Sequence, residues 1–210
     1  MATTRRTKTD ALAARRDPVQ QRSRERMDRI LTVAQQVIEE KGSDQLKMSE
    51  VADLAGISIG SLYQYFPDKR AIVRTLAQQY AVESRRCIEE ALVGVRSKAE
   101  LLAAFEALVD QYYELFLTTP VMRDVSSGMK ADKELMALEL AESKACGALL
   151  AAAMQRVHPK ADAKRLGASA FLIWQLGEET MRLALAHKRS EAVLLVDAYK
   201  RLSLRALAEP

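Results

Sequence analysis

The chain has 210 residues, 49% apolar and 29% charged, with a formal charge of +4; that balance belongs to a globular chain long enough to bury a core without metal or disulfide staples. No apolar run approaches the roughly 20 residues of a membrane span, residues 1–16 carry neither the apolar segment of a secretory leader nor a lipidation motif, and Cys87 and Cys146 stand far apart with no CxxC. The expectation is a cytoplasmic protein with no membrane partner, no metal and no cofactor.

Ala, Leu, Glu, Lys, Arg and Gln dominate, Gly totals 8 and Pro 5, and no stretch alternates apolar and polar residues, so the expected fold is all-α with no sheet. Charge is unevenly placed. Residues 1–30 carry nine Lys/Arg against four Asp/Glu, residues 31–84 five against seven, and residues 85–210 eighteen against seventeen. The positive excess therefore sits at the N-terminus, where a polyanion can meet it.

Residues 1–16 read as a disordered basic arm with Arg5, Arg6, Lys8, Arg15 and Arg16; such an arm enters a minor groove or binds phosphates, or is a solvated tail. Asp17-Pro18-Val19-Gln20 then reads as a helix start, with Asp as N-cap and Pro at the first helical position. Met27, Ile30, Leu31, Ala34, Val37 and Ile38 make one apolar face of that helix, which Gly42 is placed to stop. Two short helices follow, Met48 to Ala55 and Ser58 to Tyr65, separated by Gly56-Ile57, with Leu46, Val51, Ala52, Leu54, Ile57, Leu62 and Phe66 expected between them. Asp68 caps a long fourth helix to about Leu92, whose Ile72, Val73, Leu76, Ala77 and Tyr80 form its inner face.

A boundary follows at Gly94-Val95-Arg96. Ser97-Lys98-Ala99-Glu100 is a capping box opening a helix to about Thr118. A short helix over Val121 to Val125, a loop at Ser126-Ser127-Gly128, a helix from Asp132 to about Val157, another from Asp162 to about His187 and a last one capped by Ser190 to about Ala208 bring the count to about nine.

Residues 46–70 carry the function. Helix, tight turn, helix is the arrangement in which a glycine frees the turn, here Gly56, a hydroxyl caps the second helix, here Ser58, and the first turns of that helix face base edges. Gly60 lets the backbone come close to a duplex, while Ser61, Tyr63 and Gln64 offer hydrogen bonds without fixed charge. Ile59 suits a thymine methyl or packs on Tyr63.

The run Val51-Ala52 to Ala55-Gly56-Ile57-Ser58, then Gly60-Ser61-Leu62-Tyr63, Tyr65-Phe66-Pro67 and Lys69 resembles the signature of the TetR family of bacterial regulators, over roughly residues 20–82. The resemblance implies an N-terminal three-helix helix-turn-helix domain, residues 17–82, and a C-terminal helical-bundle domain for ligand binding and dimerisation, residues 83–210. It makes Ser58 to Tyr65 the recognition helix, sends Tyr63 and Tyr65 to phosphates or bases, and places Lys69 on a phosphate at a helix N-terminus. Two positions depart from the pattern. Lys47 stands where the family has a capping Thr or Ser, with Ser49 as a partial substitute, and Arg70 stands where an acidic residue is common.

By the same resemblance the last two helices pair with their two-fold mates, and Gly167, Ala168, Ala170 and Gly177 permit close helix approach there or within one subunit. Phe105, Tyr112, Tyr113, Phe116, Met122, Met129, Met136, Phe171, Trp174 and Met181 line an apolar cavity or form ordinary core, with Tyr113, Gln175 and Glu178 as polar handles and Glu178-Glu179 favouring a cationic ligand if they border a pocket. The expected function is a dimeric repressor that leaves a palindromic double-stranded DNA operator when a small-molecule effector binds, with the long fourth helix as lever. The alternative is a ligand-independent nucleoid or cell-division factor on the same fold, favoured by a sealed bundle over residues 97–187. An enzyme is not expected, because no GxSxG, HExxH or phosphate loop occurs and the two histidines, His158 and His187, have no catalytic setting.

Overall fold

The computed structural model describes residues 8–119, 121, 122 and 133–210, with side chains from Gln20 onward except Leu135. The helices among these residues are α1 (Lys8–Lys41), α2 (Met48–Ala55), α3 (Ile59–Tyr65), α4 (Lys69–Val93), α5 (Lys98–Thr118), α6 (Lys133–Val157), α7 (Ala163–Leu185) and α8 (Arg189–Ala208), with a 3-10 turn at Ser43–Gln45 and no strand. The fold is all-α as expected. Of the short helix expected over 121–125, Val121 and Met122 are helical; its remainder, Met129, the loop at 126–128 and Asp132 lie outside the described residues.

Two helix starts differ from the sequence reading. α1 begins at Lys8 rather than at Asp17, because Ala11-Leu12-Ala13-Ala14-Arg15-Arg16 is a run of strong helix formers that carries the helix through Pro18. α8 begins at Arg189 with Lys188 as N-cap and no side-chain cap, so Ser190 sits inside the first turn instead of capping it; the backbone carbonyl of Lys188 accepts from Glu191 and Ala192, both at 2.9 Å. The other local signals have the geometry their chemistry asks for. Gly42 and Gly56 adopt positive φ of 85° and 66°, and Gly56 and Ile57 donate to Asp53 and Ala52 (3.1 and 3.0 Å), closing α2 with a Schellman motif. Ser97 and Glu100 form a complete capping box, and Asp68 and Asp162 each accept a first-turn N–H at 2.8 Å.

The chain divides into two compact units, Met1–Val73 and Arg74–Pro210, so the division falls within α4, whereas the sequence reading draws it after residue 82. In the first unit Ile30, Leu31, Ala34, Val37 and Ile38 of α1 are buried with Leu46, Val51, Ala52, Ala55, Leu62, Phe66, Ile72 and Val73. Leu54, expected in this core, is 59% exposed: α2 has only two turns, and its inward stripe is Val51, Ala52 and Ala55, which points Leu54 away. Ile57 is half-buried.

In the second unit α6 packs along α7, and α8 packs on α7 and α5. The core runs through Leu101, Phe105, Leu150, Met154, Leu166, Ala170, Met181 and Leu207. Arg156 of α6 donates to the carbonyls of Leu92 (2.5 Å) and Val95 (3.3 Å), which also accept from the Val95 N–H (3.3 Å) and the Arg96 guanidinium (2.9 Å), so the chain leaving α4 is tied to α6. Ala170 and Gly177 are buried inside this unit. A Cβ on Gly177 would lie 2.7 Å from the Tyr199 hydroxyl oxygen, and that hydroxyl is fixed by donating to the carbonyl of Ile173 at 2.8 Å. Gly177 thus permits α8 to approach α7 within the subunit. Gly177→Ala is expected to destabilise by about 1–3 kcal/mol, the usual cost of overpacking a core that cannot yield; a thermal melt unchanged from wild type would show that Tyr199 swings aside freely.

Candidate nucleic-acid interface and ligand cavity

The interface begins from one hydroxyl. Ser58 Oγ accepts from the Ser61 N–H at 3.1 Å and donates to Ser61 Oγ at 2.9 Å. This caps α3 and still leaves the Ser61 O–H able to donate outward. Leu62 and Phe66 anchor the inner side of α3 in the core, so the opposite side is presented rigidly: Tyr63 is 52% and Ile59 43% exposed, and Gln64, Ser58 and Gly60 are exposed as well. A Cβ at Gly60 would meet nothing within 4 Å, and its φ is not positive, so nothing within the subunit requires glycine there. Tyr65 is half-buried. Lys47 and Ser49 are exposed at the start of α2, where Lys47 occupies the N-cap without a side-chain bond. Lys69 is half-buried at the start of α4 and donates from Nζ to the Asp44 carbonyl at 2.8 Å, leaving two further N–H donors. Arg70 is exposed.

The second unit contains a cavity of about 310 Å³ among α4, α5, α6 and α7. Its walls are mainly apolar, with Tyr80, Ile88, Leu108, Tyr112, Phe116, Met122, Leu138 and Trp174. Four carboxylates and one guanidinium also face it: Glu83, Glu139, Glu142, Glu178 and Arg182. Arg182 pairs with Glu139 at 2.6 Å and Glu179 at 2.7 Å, Arg85 with Glu142 at 3.1 Å, and Arg86 with Glu83 at 2.5 Å. Glu178 differs. Its Oε1 accepts from the Ser143 hydroxyl at 3.1 Å, while Oε2 is sealed from solvent without a hydrogen-bonding partner. Burial pushes the Glu178 carboxyl up to about 7, and the adjacent Glu139, by its charge and by sharing a proton, pushes the same way against Ser143 and Arg182. Burial also raises the Tyr112 phenol, and with Glu142 and Glu178 nearby pushes the Cys146 thiol up to about 12.

Residues 30–76 match the model of bacterial regulatory proteins of the tetR family, and residues 99–210 match the tetracyclin repressor-like C-terminal domain. The chain belongs to the TetR family. Among curated relatives it is 34% identical over 126 residues to an uncharacterized HTH-type transcriptional regulator of Mycobacterium tuberculosis, covering 56% of this chain and 61% of that protein. It is 30% identical over 98 residues to the uncharacterized HTH-type transcriptional regulator YvdT of Bacillus subtilis, covering 47% of each; the match spans about half the length of that relative. The fold is shared with the TetR-family transcriptional regulator from Streptomyces coelicolor, at a TM-score of 0.67 and 22% identity over 88% of this chain and 96% of that one. Thermus thermophilus FadR, solved in complex with lauroyl-CoA, has a TM-score of 0.65 and 17% identity over 87% of this chain and 93% of its own.

Within this TetR fold the residues singled out for a ligand are divided by their positions. Tyr112, Phe116, Met122, Trp174 and Glu178 line the cavity. Phe105 and Met181 are buried beside it around a void of about 30 Å³. Tyr113, Phe171 and Gln175 are half-buried away from the cavity, and Met136 is 49% exposed. Tyr80, expected as core, is half-buried on the cavity wall. Sequence reasoning missed Glu139, Glu142 and Cys146 on α6 and Ala77, Ser84 and Cys87 on α4. The signal was present: both sets recur at three-and-four-residue spacings, marking one face of each helix, but with small and charged residues where an apolar stripe was sought.

Proposed function

We propose that this TetR-family chain is a homodimeric repressor that reads a palindromic double-stranded DNA operator and leaves it when a small-molecule effector occupies the cavity. The observation that carries the reading is α3: a capped, core-anchored helix presenting Ser61, Tyr63 and Gln64 with no fixed charge, beside a glycine, Gly60, that no internal packing demands. Those side chains hydrogen-bond base edges, Ile59 offers an apolar contact for a thymine methyl, and Lys47, Ser49, Tyr65 and Lys69 surround the helix as phosphate contacts.

Dimerisation is supported by apolar side chains that the described residues leave about half exposed or more. Leu172, Leu176 and Leu183 recur along α7 and Leu194 and Leu202 along α8, and they are between 49% and 69% exposed. A two-fold dimer reads a palindrome whose half-sites lie about one turn of DNA apart, roughly 34 Å. An effector can release DNA only by binding the DNA-incompetent state more tightly, and α4 supplies Ile72 and Val73 to the first unit's core and seven residues to the cavity wall of the second. A ligand-independent DNA-binding factor on the same fold has no need of such a cavity, which favours the effector reading.

Selection of genomic DNA fragments by the purified protein at near-physiological salt tests this. Recovery of one palindromic sequence from many fragments is the expected result. Retention of fragments irrespective of sequence, weakening steeply with salt, would refute specific regulation.

A further inference from the structure

Resting on the reading of this cavity as the effector site, we propose that the effector is an amphipathic amine whose protonated nitrogen pairs with Glu178. Among the described residues that face the cavity, Glu83, Glu139 and Glu142 each have an arginine within ion-pairing distance, whereas Glu178 has none and meets the Ser143 hydroxyl and the carboxyl of Glu139, with which it shares a proton. A carboxylate held in an apolar wall without a cation is costly by itself and becomes a strong acceptor when a cation is brought to it. The aromatic rings of Tyr112, Phe116 and Trp174 border the same space, and ring faces attract a cation while accommodating its hydrocarbon. An anionic ligand would meet four carboxylates and one guanidinium that already holds Glu139 and Glu179. A neutral ligand would bring no charge to offset that of Glu178. The raised carboxyl of Glu178 agrees with this: the unliganded cavity disfavours its charge, and a bound ammonium would restore it.

The test is titration calorimetry of the full chain at pH 8 with three probes sharing one tail: 4-phenylbutylamine, 4-phenylbutanol and 4-phenylbutyrate. The amine is expected to bind at least about tenfold tighter than the alcohol, the return from one desolvated charge-assisted contact, and the carboxylate more weakly than either. Glu178→Gln is expected to abolish the preference for the amine over the alcohol, and Glu178→Ala, should the amide find a new partner, gives the same comparison with no polar group at all. Equal affinities for amine and alcohol in the wild type, preference for the carboxylate, or an amine preference that survives both substitutions would overturn the assignment of an amine and leave the cavity reading standing. If none of the three binds at millimolar concentration, the cavity reading falls and the amine assignment with it.

Discussion

At pH 8 the Glu178→Gln variant melts above the wild type, and the difference closes as the pH is lowered below about 5. The sign follows from the direction of the shift. Glu178 is an acid whose folded-state value, about 7, lies above its ordinary 4.5, so between those values the native state holds a proton that the unfolded chain has released. Stability is therefore fully present below the unfolded value, falls as pH rises through the window and is lost above the folded value. The groups around the carboxyl are Tyr112 on α5, Glu139, Ser143 and Cys146 on α6, Arg182 on α7, Tyr199 on α8, and Glu83 and Cys87 on the cavity wall from α4. At one pH unit per 1.36 kcal/mol the whole effect is at most about 3 kcal/mol, which for a chain of this length is several degrees of melting temperature. Gln keeps the size of the side chain and the uncharged state that the cavity prefers, so its stability should be flat over the same window. Melting curves from pH 4.5 to 8.5 measure it, and parallel profiles for the two proteins would show that water or a shifted cation already neutralises Glu178.

The second large effect concerns association. Leu172→Glu combined with Leu194→Glu is expected to turn the proposed dimer into a monomer without unfolding the subunit. Both side chains are more than half exposed, at 58% and 67%, so the substitutions remove little intramolecular packing. In a two-fold interface each appears twice, so four leucine contacts, each about 1.5–3 kcal/mol when fully buried, are exchanged for four carboxylates facing one another. The dissociation constant is expected to rise by more than about a thousandfold. Sedimentation equilibrium gives the mass, and circular dichroism confirms the unchanged helix content. A variant that remains dimeric would place the interface on another face.

The helix-turn-helix was legible because its signals are local. A glycine that must take a positive φ, a serine that reaches an N–H three residues on and the Ser97–Glu100 box act over four or five residues, and Gly56, Ser58 and Ser97 all do in the structure what their positions ask. Where the competing signals were also local, the stronger won: the Ala-rich run outweighed Asp17-Pro18 as a start for α1, and Lys188 displaced Ser190 at the start of α8. Burial was less legible at single positions. One residue along a helix is a rotation of about 100°, which is enough to set Tyr112 on the cavity wall and Tyr113 off it, or to turn Leu54 outward beside a buried Ala55. The cavity itself depends on how four helices leave space between them, and residue type reports only that a side chain avoids water. Glu139, Glu142 and Arg182 could therefore pass as a solvated surface, although the structure turns them onto one cavity wall.

The claim that α3 reads sequence is tested most directly by measuring the affinity of the wild type and of Tyr63→Ala for a selected operator fragment and for a scrambled fragment across a range of salt. The wild type is expected to prefer the operator by at least about a thousandfold. Losing Tyr63, exposed and outside the core, should remove about tenfold or more of that preference while the scrambled fragment is bound as before with nearly the same salt slope. Equal affinity of the wild type for both fragments, or an equal loss on both in the variant, would contradict it, since α3 would then hold the phosphate backbone without reading the bases.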